Sequence, residues 1–188
     1  MKWATSKVVH FDRVISAWLI ARFIDSDAEF EFVDGLPKDG DDRMTFGMAG
    51  ASFGGHDTAG TGFSKILDHY KLVDPALEQL RLIVDQTVRF ALDEGIVLSG
   101  TVQNALLGIA EGIMLESKDD ASCLERSFPI YDALYRGFSE RLACAAERPE
   151  ETVLAATYRV TAAARAIRSS DCGGNASTDR PFIRQAPQ

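Results

Sequence analysis

Four residues near the start of the chain, His10-Phe11-Asp12-Arg13, bring together an imidazole, a carboxylate and a guanidinium. The protein has only three histidines, so this clustering is informative. Side chains two residues apart on an extended segment point the same way, and the His10 ring and Asp12 carboxylate then converge. A second loop, "AGASFGGHDTAGTGFSKIL" (49–67), carries His56-Asp57 and, ahead of an apolar-periodic stretch, Gly60-Thr61-Gly62. Two imidazoles with two or more carboxylates suit a divalent metal such as zinc, manganese or iron. Asp85, which follows an apolar triplet on a helical pattern, adds a further acid. His10, Asp12, His56, Asp57 and Asp85 are therefore the candidate metal ligands. The planar fork of Arg13 suits an oxyanion. Glycines at a helix start let a ligand approach free N–H groups, which makes Gly60, Thr61 and Gly62 candidate anion binders beside Arg13.

Each residue also has a plainer reading. Asp12 can serve as a helix cap, a strand-end histidine as a hydrogen-bonded filler, and Gly-Thr-Gly as an ordinary tight turn. His69, within a helical pattern, reads as a surface residue. The loop is not a P-loop, because Ser64-Lys65 stands in reversed order, and no Rossmann fingerprint is present. No serine lies in a G-x-S-x-G context, so a serine hydrolase is unsupported.

The elements that must position these groups follow from periodicity. Lys7 to Phe11 reads as a short buried strand containing Val8 and Val9. From Val14 the set Val14, Ile15, Trp18, Leu19 and Phe23 has helical spacing, with Asp12 as its N-cap. "SDAEFEFV" supplies a second strand with Phe30 and Phe32 on one face. "MTFGMAGASFGG" has room for one or two short strands, and strand, helix, strand within about thirty residues is a βαβ unit. Helices follow at "GFSKILDHYKL", at Asp74-Pro75 (a cap with proline in first position), at "TVQNALLGIAEGIML" and at "CLERSFPIYDALYRGFSERLACAA", which should start or kink near Pro129. A last helix begins around Arg148-Pro149 and fades near Arg168. The expected fold is α/β (α+β): a small parallel or mixed N-terminal sheet with a βαβ unit, covered and extended by four to five helices. One domain, 1–168, precedes a polar, Gly-rich tail at 169–188 that composition marks as disordered. Parallel neighbours deliver their C-terminal loops to one sheet edge, so His10, Asp12 and His56 should share one site. Arg22, at the end of the first helix, is expected to pair with Asp25 or Asp27.

Composition narrows the function classes. At 188 residues, with 46 % hydrophobic and 26 % charged residues, the chain matches a single globular domain. A net charge of −8 and a pI near 4.9 speak against nucleic acid and anionic membrane as partners. No apolar run reaches the ~20 residues that span a bilayer. The three widely spaced cysteines suit reduced thiols in a cytoplasmic protein, and none forms a zinc-type pair. The partner expected is a small inorganic anion or a metal. A homo-oligomer stays open.

The stretch "HFDRVISAWLIARFIDSDAEFEFV" resembles the opening of the C-terminal domain of the chromate-resistance protein B (ChrB) family. "GASFGGHDTAGTGF", "LVDPALEQLRLIV" and "YDALYRGF" resemble later family motifs in the same order, and together they cover about residues 3 to 138. The resemblance implies a chromate-resistance-associated accessory or sensor protein. Its polar motif positions are His10, Asp12, Arg13, Trp18, Arg22, Asp25, Asp27 and His56. Longer members act as chromate-responsive regulators and carry an extra N-terminal region not found in these residues, so no DNA-binding role is inherited. One departure concerns the third helix, where relatives tend to show His-Asp-x-Asp and this chain has Asp85-Gln86-Thr87-Val88. A strand ending in His-x-Asp before a His-containing glycine loop is also similar to DHH-type phosphoesterases. A metal-dependent hydrolase with a reduced metal site is therefore the alternative, since their two-metal chemistry needs bridging carboxylates that are missing here. A non-catalytic interaction module is a third reading, based on the large, Ala-rich helical half.

Overall fold

A computed structural model describes residues 1–38, 42–92, 102–150 and 153–171. Three parallel strands form a sheet in the order β2-β1-β3, with β1 at Lys2–Ser6, β2 at Glu29–Val33 and β3 at Met44–Thr45. Helix α1, Phe11–Leu19, connects β1 to its parallel partner β2 and completes the βαβ unit. It runs on into a wider π-helical turn, Ile20–Ile24, closed by the Asp25 N–H on the Ile20 carbonyl at 2.8 Å. Five more helices follow among the described residues: α2 at Gly62–His69, α3 at Pro75–Leu92, α4 at Val102–Glu116, α5 at Asp120–Glu147 and α6 at Val153–Asp171.

The first strand is Lys2–Ser6, not Lys7–Phe11. As the central strand it is covered on both faces, and Trp3, Ala4 and Thr5 are all buried, so no apolar-polar alternation marks it. Val8, which looked like a strand residue, has φ of 57° and is 65 % exposed. This left-handed conformation breaks the strand direction and turns the chain toward α1. His10 takes the N-cap position with extended backbone and makes no side-chain capping bond, so Asp12 is not the cap.

The core lies between the sheet, α1 and the later helices. Trp3 packs on Phe46 and Phe53, and Trp18 on Phe23, Tyr131 and Tyr135. Asp74 caps α3 by accepting from the N–H groups of Ala76 and Leu77 at 2.7 and 3.1 Å, and also accepts from the Tyr135 hydroxyl at 2.9 Å. Helix α5 neither starts nor stops at Pro129. It begins nine residues earlier with a capping box between Asp119 and Ser122 and continues to Glu147. The cost of a helical proline is tolerated because Cys123, Leu124 and Ser127 before it, and Tyr131 and Tyr135 after it, are buried. Helix α6 extends to Asp171, three residues into the segment expected to be a tail; residues 172–188, with Cys172, lie outside the described residues. Cys123 is buried and Cys144 half-buried, both as free thiols.

Candidate functional site

The site lies at the C-terminal ends of β1 and β3, where ligands bind in open parallel sheets. The turn after β1, residues 7–10, is held from two sides. Arg13 donates from Nη1 to the carbonyls of Ser6 (3.0 Å) and Lys7 (3.4 Å), and from Nη2 to that of Val8 (2.8 Å). Asp120, in the first turn of α5, accepts from the N–H groups of Val8 and Val9 at 3.0 and 2.7 Å. Carbonyls and amides of the turn are thus both satisfied by charged side chains, which fixes a backbone conformation that a β-branched residue rarely adopts. Burial lowers the Arg13 pKa, while Asp120 and Asp12 act to raise it. Gly47, with φ of 66°, lies against the aliphatic part of Arg13, where any side chain would collide with Cγ. Arg13 therefore spends both terminal nitrogens on the protein itself.

The N-terminus of α2 also has an internal partner. Asp12 accepts from the Gly62 N–H at 3.2 Å and from the Phe63 N–H at 3.3 Å, so a carboxylate already lies where an external anion was expected. Thr61 is the N-cap, accepting from the Ser64 N–H at 3.2 Å. The Thr61 and Ser64 hydroxyls donate to Asp85 Oδ1 at 2.7 and 2.8 Å. Two carboxylates thus flank the start of α2. Burial pushes the Asp12 carboxyl above the ordinary aspartate range, against the two backbone N–H groups and nearby His56, which favour its charge; Asp85 adds to the upward push.

A cavity of about 830 Å³ opens beside these groups. Lys7, His10, Asp12, Arg13, His56 and Asp57 line it together with the glycine-rich segments at 47–50 and 54–55. His10, Asp12 and His56, which the parallel-strand argument assigned to one edge, are therefore brought to one cavity. Asp85, Gly60 and Thr61 are not in that wall. They line a smaller neighbouring cavity of about 430 Å³, which shares His56 and Asp57 and adds Arg89. Asp57 pairs with Lys65 at 2.8 Å, which holds its carboxyl below the usual range, and Lys65 also donates to the Gly55 carbonyl. Among the described residues, no three His, Cys, Asp or Glu side chains form a group that could hold a metal ion. His69 is exposed, with its ring edge-on to Phe53 and Tyr70.

At the other end of α1 the polar motif residues do different work. Arg22 pairs with neither Asp25 nor Asp27. Its Nε and Nη2 donate to the two carboxylate oxygens of Asp132 at 2.9 and 3.0 Å, and Trp18 Nε1 donates to Asp132 Oδ1 at 2.8 Å. The guanidinium also lies over the Phe128 ring at 5.3 Å. Asp25 instead accepts from Trp3 Nε1 at 3.0 Å. The reason is geometric: the π-helical turn ends in extended backbone at Asp25, while α5 runs alongside α1 and presents Asp132. Sequence reading missed Lys7, Ser16, Asp120 and Asp132. The motif "YDALYRGF" contained the signal for Asp132, but its partners are 110 residues or more away.

A family model described as "ChrB, C-terminal domain" matches residues 3–138. The chain belongs to this family. The match runs from β1 into α5 and takes in both ends of α1, the His56 loop and Asp132; α6 lies beyond it. Protein ChrB of Cupriavidus metallidurans (strain CH34) is 31 % identical over 142 residues. That alignment covers 73 % of this chain and 41 % of the relative, so the chain spans well under half of that protein's length. No solved structure matches. Among the described residues, no helix is long and apolar enough to cross a membrane.

Proposed function

We propose that this chain is a sensor or accessory protein of chromate resistance that takes a small tetrahedral oxyanion in the cavity at the C-terminal sheet edge. Membership of the ChrB C-terminal domain family supports the biological context. The observation that carries the binding role is the convergence of His10 and His56, with Lys7, whose ammonium is also paired with Asp34 at 2.7 Å, on one cavity of about 830 Å³ whose lip is held from both sides. Imidazole and ammonium N–H groups donate bonds to oxyanion oxygens that are charge-assisted by the ionised acceptor. Arg13 has a positioning role in this reading. By fastening the carbonyls of residues 6 to 8, it sets where Lys7 and His10 leave the turn.

The rival ligand is a divalent metal held by the same histidines with Asp12 and Asp57. The two separate cleanly by calorimetry of the whole chain with chromate on one hand and with zinc or manganese on the other. Chromate should bind, and replacing both His10 and His56 by Ala should weaken it about tenfold or more, the worth of one charge-assisted bond. Stoichiometric metal uptake without chromate binding would replace the oxyanion reading by the metal one.

A further inference from the structure

Asp12 poses a problem for any anion in this cavity. It is a carboxylate in the cavity wall, and a dianion beside it meets repulsion that the low-dielectric surroundings do little to screen. Its polar surroundings suggest the resolution. The bonds from Gly62 and Phe63 use two of the roughly four lone-pair sites a carboxylate offers. The missing side chain of Gly62 leaves a point encircled by oxygens: Asp12 Oδ2 at 3.3 Å, the Gly54 carbonyl at 3.4 Å and Ser16 Oγ at 3.6 Å from the place a Cβ would occupy. Ser16 is 1 % exposed and its hydroxyl has no hydrogen-bond partner. Buried hydroxyls are seldom left so. The cavity wall thus carries the Asp12 carboxylate, with acceptor capacity left over, beside the Gly54 backbone, while His10, His56 and Lys7 (its ammonium also paired with Asp34 at 2.7 Å) supply donors elsewhere in it and Arg13 is bonded to the turn. Such a wall suits a ligand that is anionic overall yet carries one proton.

Resting on the oxyanion reading above, we infer that Asp12 selects for a protonated oxyanion, accepting a hydrogen bond from the ligand's O–H while the histidines bind its bare oxygens. The ligand class is a tetrahedral oxyanion that retains a proton near neutrality, such as hydrogen chromate or hydrogen phosphate. Sulfate, fully deprotonated there, has no proton to give and faces the carboxylate unrelieved. Losing one charge-assisted bond and gaining a like-charge contact should disfavour sulfate about tenfold or more.

Calorimetric titration of the whole chain at neutral pH with chromate, phosphate and sulfate tests this. The wild-type protein should bind chromate and phosphate about tenfold or more tightly than sulfate. Asp12→Asn keeps an oxygen acceptor for the start of α2 but loses the charge, and should admit sulfate until the ratio falls to about threefold. Asp68→Asn removes an equal charge outside the cavity, at a residue paired with Arg81, and should leave the ratio as it was. Equal wild-type affinity for sulfate and chromate overturns the inference without any variant. So does an unchanged ratio in folded Asp12→Asn. If none of the three anions binds, the oxyanion reading falls with it; binding that is lost in the His10/His56 double variant but shows no preference removes only the selectivity.

Discussion

Helix α1 has an aspartate network at each end, and the two are built differently. At its far end Asp132 receives three N–H donors, two from Arg22 and one from Trp18, at 2.8 to 3.0 Å. Aromatic rings close around that cluster, with Phe128 under the guanidinium and Tyr131 and Tyr135 against Trp18. At its near end Asp12 receives two longer backbone bonds, has an unpartnered serine hydroxyl close by, and opens onto a cavity. A carboxylate gripped by three short side-chain bonds beside packed rings fastens elements together. An unsaturated one at a sheet edge keeps capacity for something that arrives from outside. Residues from one short motif, Asp12 through Arg22, therefore divide into a clasp and a candidate site according to what hydrogen-bonding capacity each has left.

Removing the clasp should produce the largest effect. Asp132→Ala strands a half-buried guanidinium and the nearly buried indole N–H of Trp18 without an acceptor. The expected cost is about 2–3 kcal/mol, typical for losing bonds to a charged group and leaving donors unsatisfied. For a chain of this size that corresponds to a melting temperature lower by about 5–10 °C. Chromate affinity of the folded fraction should stay within about twofold of wild type, a change of less than half a kcal/mol. A large loss of affinity at unchanged stability would erase the distinction between the two ends.

The near end is probed by pH. Burial raises the Asp12 pKa above its unfolded value, so the native state binds more protons than the unfolded chain in the window just above the ordinary aspartate range. The sign follows directly. The stability contributed by this group is lower when it is charged, and it recovers as pH falls through the raised pKa. Wild-type protein should therefore gain stability relative to Asp12→Asn as pH is lowered from about 7 to about 4, read from urea unfolding at each pH. Asp57, whose pKa is lowered by Lys65, pulls the other way, but it is present in both proteins and cancels in the difference. A flat difference would mean that the two backbone bonds fully compensate burial, making Asp12 as settled as Asp132.

What could be read from the sequence divides along similar lines. Helices α2 and α3 carried local signals, the apolar spacing of "GFSKILDHYKL" after a glycine-rich loop in one and Asp74-Pro75 in the other, and both elements begin where those signals put them. The alternation of Phe30 and Phe32 marked β2, which is an edge strand with partly exposed faces. β1 escaped because a central strand buried on both sides has no alternation, and the neighbouring Val8-Val9 gave a stronger but false signal. His10 nevertheless reached the expected edge, since the loop after the true strand is the same loop. Long-range polar partners were illegible: nothing local tells Arg22 to choose Asp132 over Asp25, or Asp12 to cap α2 instead of α1. Those choices are made by packing angles between helices distant in sequence. Ser16 was unreadable for a related reason, because its lack of a partner exists only once α2 lies against α1.

The smallest predicted effect concerns the turn at the lip of the cavity. Val8 sits at φ of 57° with its side chain 65 % exposed, so it bears left-handed strain and buries little in return. For an L-residue that conformation costs roughly 1–2 kcal/mol. Glycine relieves it but loses more backbone freedom on folding, roughly 0.5–1 kcal/mol. Val8→Gly should therefore stabilise the protein by about 0.5–1 kcal/mol, raising the melting temperature by about 1–4 °C. The turn itself should not move, because its amides are already bonded to Asp120 and its carbonyls to Arg13. Oxyanion affinity should then be unchanged, since strain in Val8 is held by those two charged residues and is not what shapes the cavity. Destabilisation by Val8→Gly would show that the valine side chain contributes packing its exposure conceals. A loss of anion affinity at higher stability would mean that the strained residue, and not only its clamps, sets the position of Lys7 and His10.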